Sequence, residues 1–157
     1  MRRASGVSGN LAVVALRLAG TLALAQDAVP GTRTIATKHR FDALLERLEK
    51  SAADNAMGVV ATASASRGAA ARGVGIPGNA VVMVFRNDYA VRMLAASVPA
   101  GIEAPLRIYL TENADGTGSV TWRQPSAVFA PYRNASLDAL ARELDPVLEK
   151  IVRDAAK

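Results

Sequence analysis

The stretch Ala80–Arg123 reads AVVMVFRNDYAVRMLAASVPAGIEAPLRIYLTENADGTGSVTWR, and its reading decides the fold. Ala80 to Phe85 is a continuous apolar run, too short for a helix of ordinary length, and reads as a central strand. Asn87 or Asp88 can cap the helix that follows, because either side chain can satisfy a free amide in the first turn. Val91, Leu94 and Ala95 are expected on the core face of that helix, which Val98-Pro99 ends. After the loop Ala100–Pro105, Leu106, Ile108 and Leu110 alternate with Arg107, Tyr109 and Thr111, the pattern of a half-buried strand. Asn113 to Gly118 is a turn. Val120 and Trp122 alternate in the returning strand, which makes the pair a hairpin.

Outward from this block the pattern continues on both sides. Thr32 to Thr37 is rich in β-branched residues and reads as a first strand, after a short linker, residues 26–31, that contains the turn signal Pro30-Gly31. Phe41, Leu44, Leu45, Leu48 and Ala52 recur at the spacing of one buried helical face. Met57 to Thr62 is a second strand, and Ser64 to Gly75 reads as a short helix or an ordered loop. On the C-terminal side Leu137, Leu140, Leu144, Leu148 and Ile151 form a helical stripe. Asp145-Pro146 interrupts it, since proline removes a donor and crowds the preceding turn. Two short helices or one kinked helix both fit. The predicted order is β-α-β-β-α-β-β-α: a two-layer α+β domain over residues 32–157, with a mostly antiparallel sheet and helices on one face.

Composition narrows the chemistry. The chain has 157 residues, no cysteine and one histidine, His39. Disulfides, thiolate metal sites, cysteine nucleophiles and multi-histidine metal centres are excluded. No cofactor is expected. His39 sits in Lys38-His-Arg40 at the predicted strand-to-helix junction and reads as a solvated loop histidine.

Residues 1–25 read as a secretory signal: Arg2 and Arg3 form the positive start, apolar residues follow, and Ala23-Leu24-Ala25 supplies the small residues before a cut at Ala25-Gln26. Arg17 inside the apolar run opposes insertion by roughly 2.5–3.5 kcal/mol, and an ordinary N-terminal helix is the alternative. The charge-free runs on either side of Arg17 fall short of the ~20 residues of a spanning helix, so no permanent membrane anchor is expected. The expected location is periplasmic or secreted. The formal charge of +5 contains the three arginines of this leader; without them the 19 basic residues become 16, against 14 acidic ones. That near-balance gives nucleic-acid binding no support.

The motifs Val84-Phe85-Arg86-Asn87-Asp88, Ala104-Pro105-Leu106 and Val120-Thr-Trp-Arg-Gln-Pro125 resemble, in order and spacing, those of the domain of unknown function 302 family. The resemblance runs from about Thr32 to Tyr132. It implies a compact two-layer α+β domain, often homodimeric, with no established enzymatic activity. Where the family carries Phe-Gly-Asn-Pro, this chain keeps Phe85 and Asn87 but has Arg86 and Asp88. The family's Asp-His pair falls on Ser66 and Arg67, which cannot do the same acid–base or metal work.

Candidate binding residues are Arg67, Asn87, Asp88, Arg107 and Tyr109. Arg67 and Arg107 could hold an anionic group, while a solvated role is the default for each. Tyr109 and Trp122 read as a cross-strand packing pair or a stacking platform, packing being the default. Asp115-Gly-Thr-Gly118 has no following helix and no Gly-Lys-Ser/Thr, so it is no phosphate loop. Two functions fit. One is an exported, non-catalytic domain binding a small apolar or amphipathic molecule, or a protein partner, between helices and sheet. The other is an enzyme using the Ser66/Arg67 and Asn87/Asp88 region.

Overall fold

The computed structural model describes residues 29–157. Five strands form one antiparallel sheet: β1 (Thr32–Arg40), β2 (Gly58–Ala63), β3 (Asn79–Phe85), β4 (Leu106–Glu112) and β5 (Thr117–Arg123), in the spatial order β1-β5-β4-β3-β2. The helices are α1 (Phe41–Asp54), α2 (Ala65–Ala70), α3 (Asn87–Ala96), α4 (Pro125–Phe129) and α5 (Ala135–Ala156). The first strand pairs with the last, so both ends of the chain's sheet-forming sequence meet in one hairpin-flanked unit.

Alternation on the central strands decides which face is covered. In β3, Ala80, Val82 and Val84 are buried; in β4, Leu106, Ile108 and Leu110; in β5, Val120 and Trp122. Successive strand side chains point to opposite faces, so the helical layer needs to cover one face only. Leu44, Leu45 and Leu48 of α1 and Leu137, Leu140, Leu144, Leu148 and Ile151 of α5 close the core over it. A buried hydroxyl ties the two helices: Ser51 Oγ donates to the Ile151 carbonyl at 2.8 Å. At Gly118 the sheet comes so near α1 that an added Cβ would lie 2.5 Å from Leu44 Cδ2.

Several local expectations are corrected. β1 runs through Arg40, with its register shifted between Ala36 and Arg40, so His39 lies in a strand rather than in a loop. Of the two arrangements left open at Asp145-Pro146, the chain forms a single helix: α5 carries Pro146 inside it. Asp145 Oδ1 accepts from the Ser126 amide at 2.9 Å, at the start of α4. α4 itself, with Pro125 in its first turn, was not anticipated.

α3 is rotated from its expected phase. Met93 is buried, and Tyr89 and Ala96 pack against the core, giving a stripe at i, i+4 and i+7. Val91 and Leu94 are 59% and 44% exposed, and Ala95 is exposed. A bidentate ion pair between Arg92 and Glu143 of α5, at 2.8 Å for both bonds, is consistent with this rotation.

Neither Asn87 nor Asp88 caps α3. Arg86 holds the cap position, without a side-chain cap bond, and Asn87 is the first helical residue. Asp88 is bound by Arg86 instead, through Nε at 2.6 Å and Nη2 at 2.9 Å. A charge-assisted bidentate pair outcompetes a single bond to a backbone amide.

Candidate functional site

β3 sets the distance between the two halves of the proposed catalytic region. Ser66 lies at its start: Ser66 Oγ accepts from the Asn79 amide at 3.2 Å and, like Ser64 Oγ, reaches the Asn79 carbonyl. Asn87 and Asp88 follow its end. Eight extended residues span roughly 25 Å, so Ser66/Arg67 and Asn87/Asp88 do not share a site. Ser66 and Arg67 line a pocket of about 260 Å³ with Arg40, Asp42 and Glu112. Glu112 Oε2 is engaged there by the Gly78 amide at 2.7 Å. Asp88 is held below the usual carboxylate range by its hydrogen bonds from Arg86, which itself stacks 4.0 Å from the Tyr89 ring centroid. That cluster is exposed and internally neutralised.

The seam between helices and sheet holds a cavity lined by Met57, Val84, Met93, Phe129, Leu140 and Leu144 among others, with a volume of only about 30 Å³. A water needs roughly 10–15 Å³ on this measure. The seam is packed core, with room for a water or two.

Register separates Tyr109 from Trp122. Tyr109 lies across from Thr121, and Ile108 across from Trp122, so the two aromatic side chains leave the sheet on opposite faces. They are neither a packing pair nor a stacking platform. Tyr109 is 42% exposed on the uncovered face, while Trp122 is buried.

The uncovered face brings Arg107 and Tyr109 together and adds a residue that the sequence reading missed. The β4–β5 register ends at Ile108–Trp122; carried one residue further it sets Arg107 of β4 opposite Arg123 of β5, and both arginines line one pocket. Thr32 of β1 flanks Arg123 on the other side. All of them line a pocket of about 250 Å³ at the end of the sheet, together with Tyr109 and Thr121. Its remaining lining is largely apolar: Leu106 and Trp122 of the covered face reach it round the end of the sheet, with Val29 and Val128. Glu103 is the one carboxylate on this lining; it accepts a hydrogen bond from the Tyr132 hydroxyl at 3.0 Å. Burial, then that bond, hold the Tyr132 phenol above its usual range.

Arg123 is the unusual group. Its Nε is buried and meets no acceptor among the described residues. No ion pair among those residues includes Arg107 or Arg123. The signal for Arg123 was present in the sequence: it alternates with Val120 and Trp122, and the hairpin turn fixes its partner as Arg107.

Among the described residues, no three His, Asp or Glu side chains are grouped to hold a metal ion, and no helix is long and apolar enough to cross a membrane. The cut expected after Ala25 lies outside the described residues.

Fold and pocket together define a two-layer α+β domain with an antiparallel sheet, one packed face and one open face bearing a small mixed-polarity pocket. The sequence matches the family described as Domain of unknown function DUF302 over residues 33–155, and the chain belongs to that family. A crystal structure of an uncharacterized conserved DUF302 protein from Bacillus stearothermophilus is similar in fold, with a TM-score of 0.72 at 18% sequence identity, covering 82% of this chain and 99% of that one. No curated protein matches the chain.

Proposed function

We propose that this chain is an exported, non-catalytic binding domain, and that its ligand is a small amphipathic molecule seated at the open-face pocket rather than between helices and sheet. The observation that carries this reading is the pocket's divided lining: Val29, Leu106 and Val128 offer apolar contact, while Arg107, Tyr109 and Arg123 offer polar contact. Binding sites combine an apolar wall with a few placed polar groups. At about 250 Å³ it suits a ligand below ordinary drug size. The enzyme alternative is disfavoured by the separation of its two halves along β3.

Trp122 makes the test direct, because it is the chain's single tryptophan and lines the pocket. Titration with a six-carbon amphiphile is expected to change its fluorescence saturably. If hexanoate, hexyl phosphate and hexanamide all leave the emission unchanged, the pocket is no ligand site.

Export and self-association belong to the same proposal. Cleavage after Ala25 predicts Gln26 at the N-terminus of protein from the native host; recovery of Met1 or Arg2 contradicts it. A homodimer is supported by the edge strand β2, which carries no charged residue and exposes Val59 and Val60. Such an edge offers unpaired backbone groups to a second chain. Light scattering at micromolar concentration that finds only monomer rejects it.

A further inference from the structure

We propose that Arg107 and Arg123 form an oxoanion site, so that the ligand of the open-face pocket is an amphipathic anion whose carboxylate or phosphate head sits between the two guanidinium groups. This rests on the binding reading above and names the chemical class of its ligand.

The arrangement is costly without an anion. Like charges directly opposite each other on neighbouring strands destabilise a sheet. A buried donor with no acceptor adds the desolvation cost of that group. Both conditions meet at Arg123: Arg107 lies across from it, and its Nε is buried without an acceptor among the described residues. The one carboxylate on the pocket is Glu103; its Oε1 accepts from the Tyr132 hydroxyl, and it forms no ion pair with either arginine. Elsewhere in the described chain Arg86, Arg92 and Arg153 meet carboxylates, and Arg33, Arg40 and Arg47 donate to neutral oxygens. Arg123 differs from all of these in that its Nε is buried and meets no acceptor among the described residues.

An oxoanion resolves both costs. Guanidinium presents its N–H groups in a planar fork that matches the two oxygens of a carboxylate or the edge of a phosphate. A head group placed between the two forks accepts from the buried Nε and separates the like charges. The hydroxyl of Thr121 is already engaged, lying 2.9 Å from that of Thr34, so it fixes the strand beside the site rather than serving the ligand. The Tyr109 hydroxyl stands one rank further along β4. An apolar tail leaving the head group meets Leu106, Val29 and Val128. The pocket therefore selects for charge at one end and for hydrocarbon at the other.

The test compares three probes of equal tail length, hexanoate, hexyl phosphate and the neutral hexanamide, by Trp122 fluorescence on the purified protein. Wild type is expected to bind at least one of the two anions about tenfold or more tightly than hexanamide, a ratio in the range of a charged hydrogen bond. Whichever anion binds more tightly identifies the head group. Arg107→Gln, at an exposed strand position, and Arg123→Met, which keeps the aliphatic stem, are each expected to abolish that preference, bringing the anions to within about twofold of hexanamide in the same variant. Melting curves of both variants check that they fold. Equal binding of all three probes, or anion binding unchanged in Arg107→Gln, overturns the oxoanion site and leaves the pocket reading standing. Silence from all three probes removes both.

Discussion

The two faces of the sheet are built from the same strands and obey opposite rules. On the covered face Leu106, Ile108 and Leu110 of β4 and Val120 and Trp122 of β5 are all buried, and several charges of the helices above it are paired. On the open face the same two strands present threonines, a half-exposed tyrosine and two arginines without a carboxylate partner. The comparison teaches where selection for folding ends and where selection for something else begins. A protein that needed only to fold would have no use for opposed arginines there.

The sharpest way to break this contrast is to truncate neighbouring residues that face opposite ways. Ile108→Ala removes a fully buried side chain and is expected to cost about 2–5 kcal/mol. Tyr109→Ala, one residue on, is expected to cost under about 1 kcal/mol. Urea denaturation of both variants reads the difference, and equal costs would mean that the open face is part of the folding core. Gly118→Ala probes the covered face from the other side. Its Cβ would meet Leu44, whose side chain is wholly buried, and overpacking by one carbon typically costs about 1–3 kcal/mol. The same denaturation assay measures it; no loss would show that α1 can shift away from β5.

The smallest effect concerns the matched charges of the helical layer. Asp154 lies between Lys150 at 2.5 Å and Lys157 at 2.6 Å, and their hydrogen bonds lower its pKa to about 2. Because the folded value is depressed, the contribution to stability is present above the unfolded carboxylate value, near pH 4, and is lost as pH falls toward 2. The pairs are largely solvent-exposed, so the effect on stability is small. NMR titration of the Asp154 carboxylate is expected to show the depressed midpoint, and Lys150→Ala to move it upward. An ordinary midpoint in the wild type would show that the lysines do not hold it.

Much of the architecture was legible because apolar spacing reports burial directly. The stripe Leu44, Leu45, Leu48 and the alternation Leu106, Ile108, Leu110 each admit one reading, and the structure follows both. The errors arose where two residues compete for one role. Val91, Leu94 and Ala95 form as good a helical face as Tyr89, Met93 and Ala96; contacts with α5 accompany the second, and α5 is distant in sequence. Asp88 looks like a cap until Arg86, two residues earlier, takes its carboxylate. Of the site, Arg107 and Tyr109 were legible as solvent-facing strand residues. Arg123 was not singled out, because its significance lies in what stands across from it, and the hairpin register had to be carried through to find that.

The pairing of β1 with β5 has a consequence in time. The two strands are separated by residues 41–116, and β1 cannot complete its hydrogen bonds until β5 has been made. At a synthesis rate of roughly 5–20 residues per second, the wait from Arg40 to Arg123 lasts on the order of ten seconds. Closing so long a loop also slows folding once the chain is complete. Throughout that interval β1 lacks its only sheet partner, and even β5 does not finish the fold, because α5, which closes the core, is made after it.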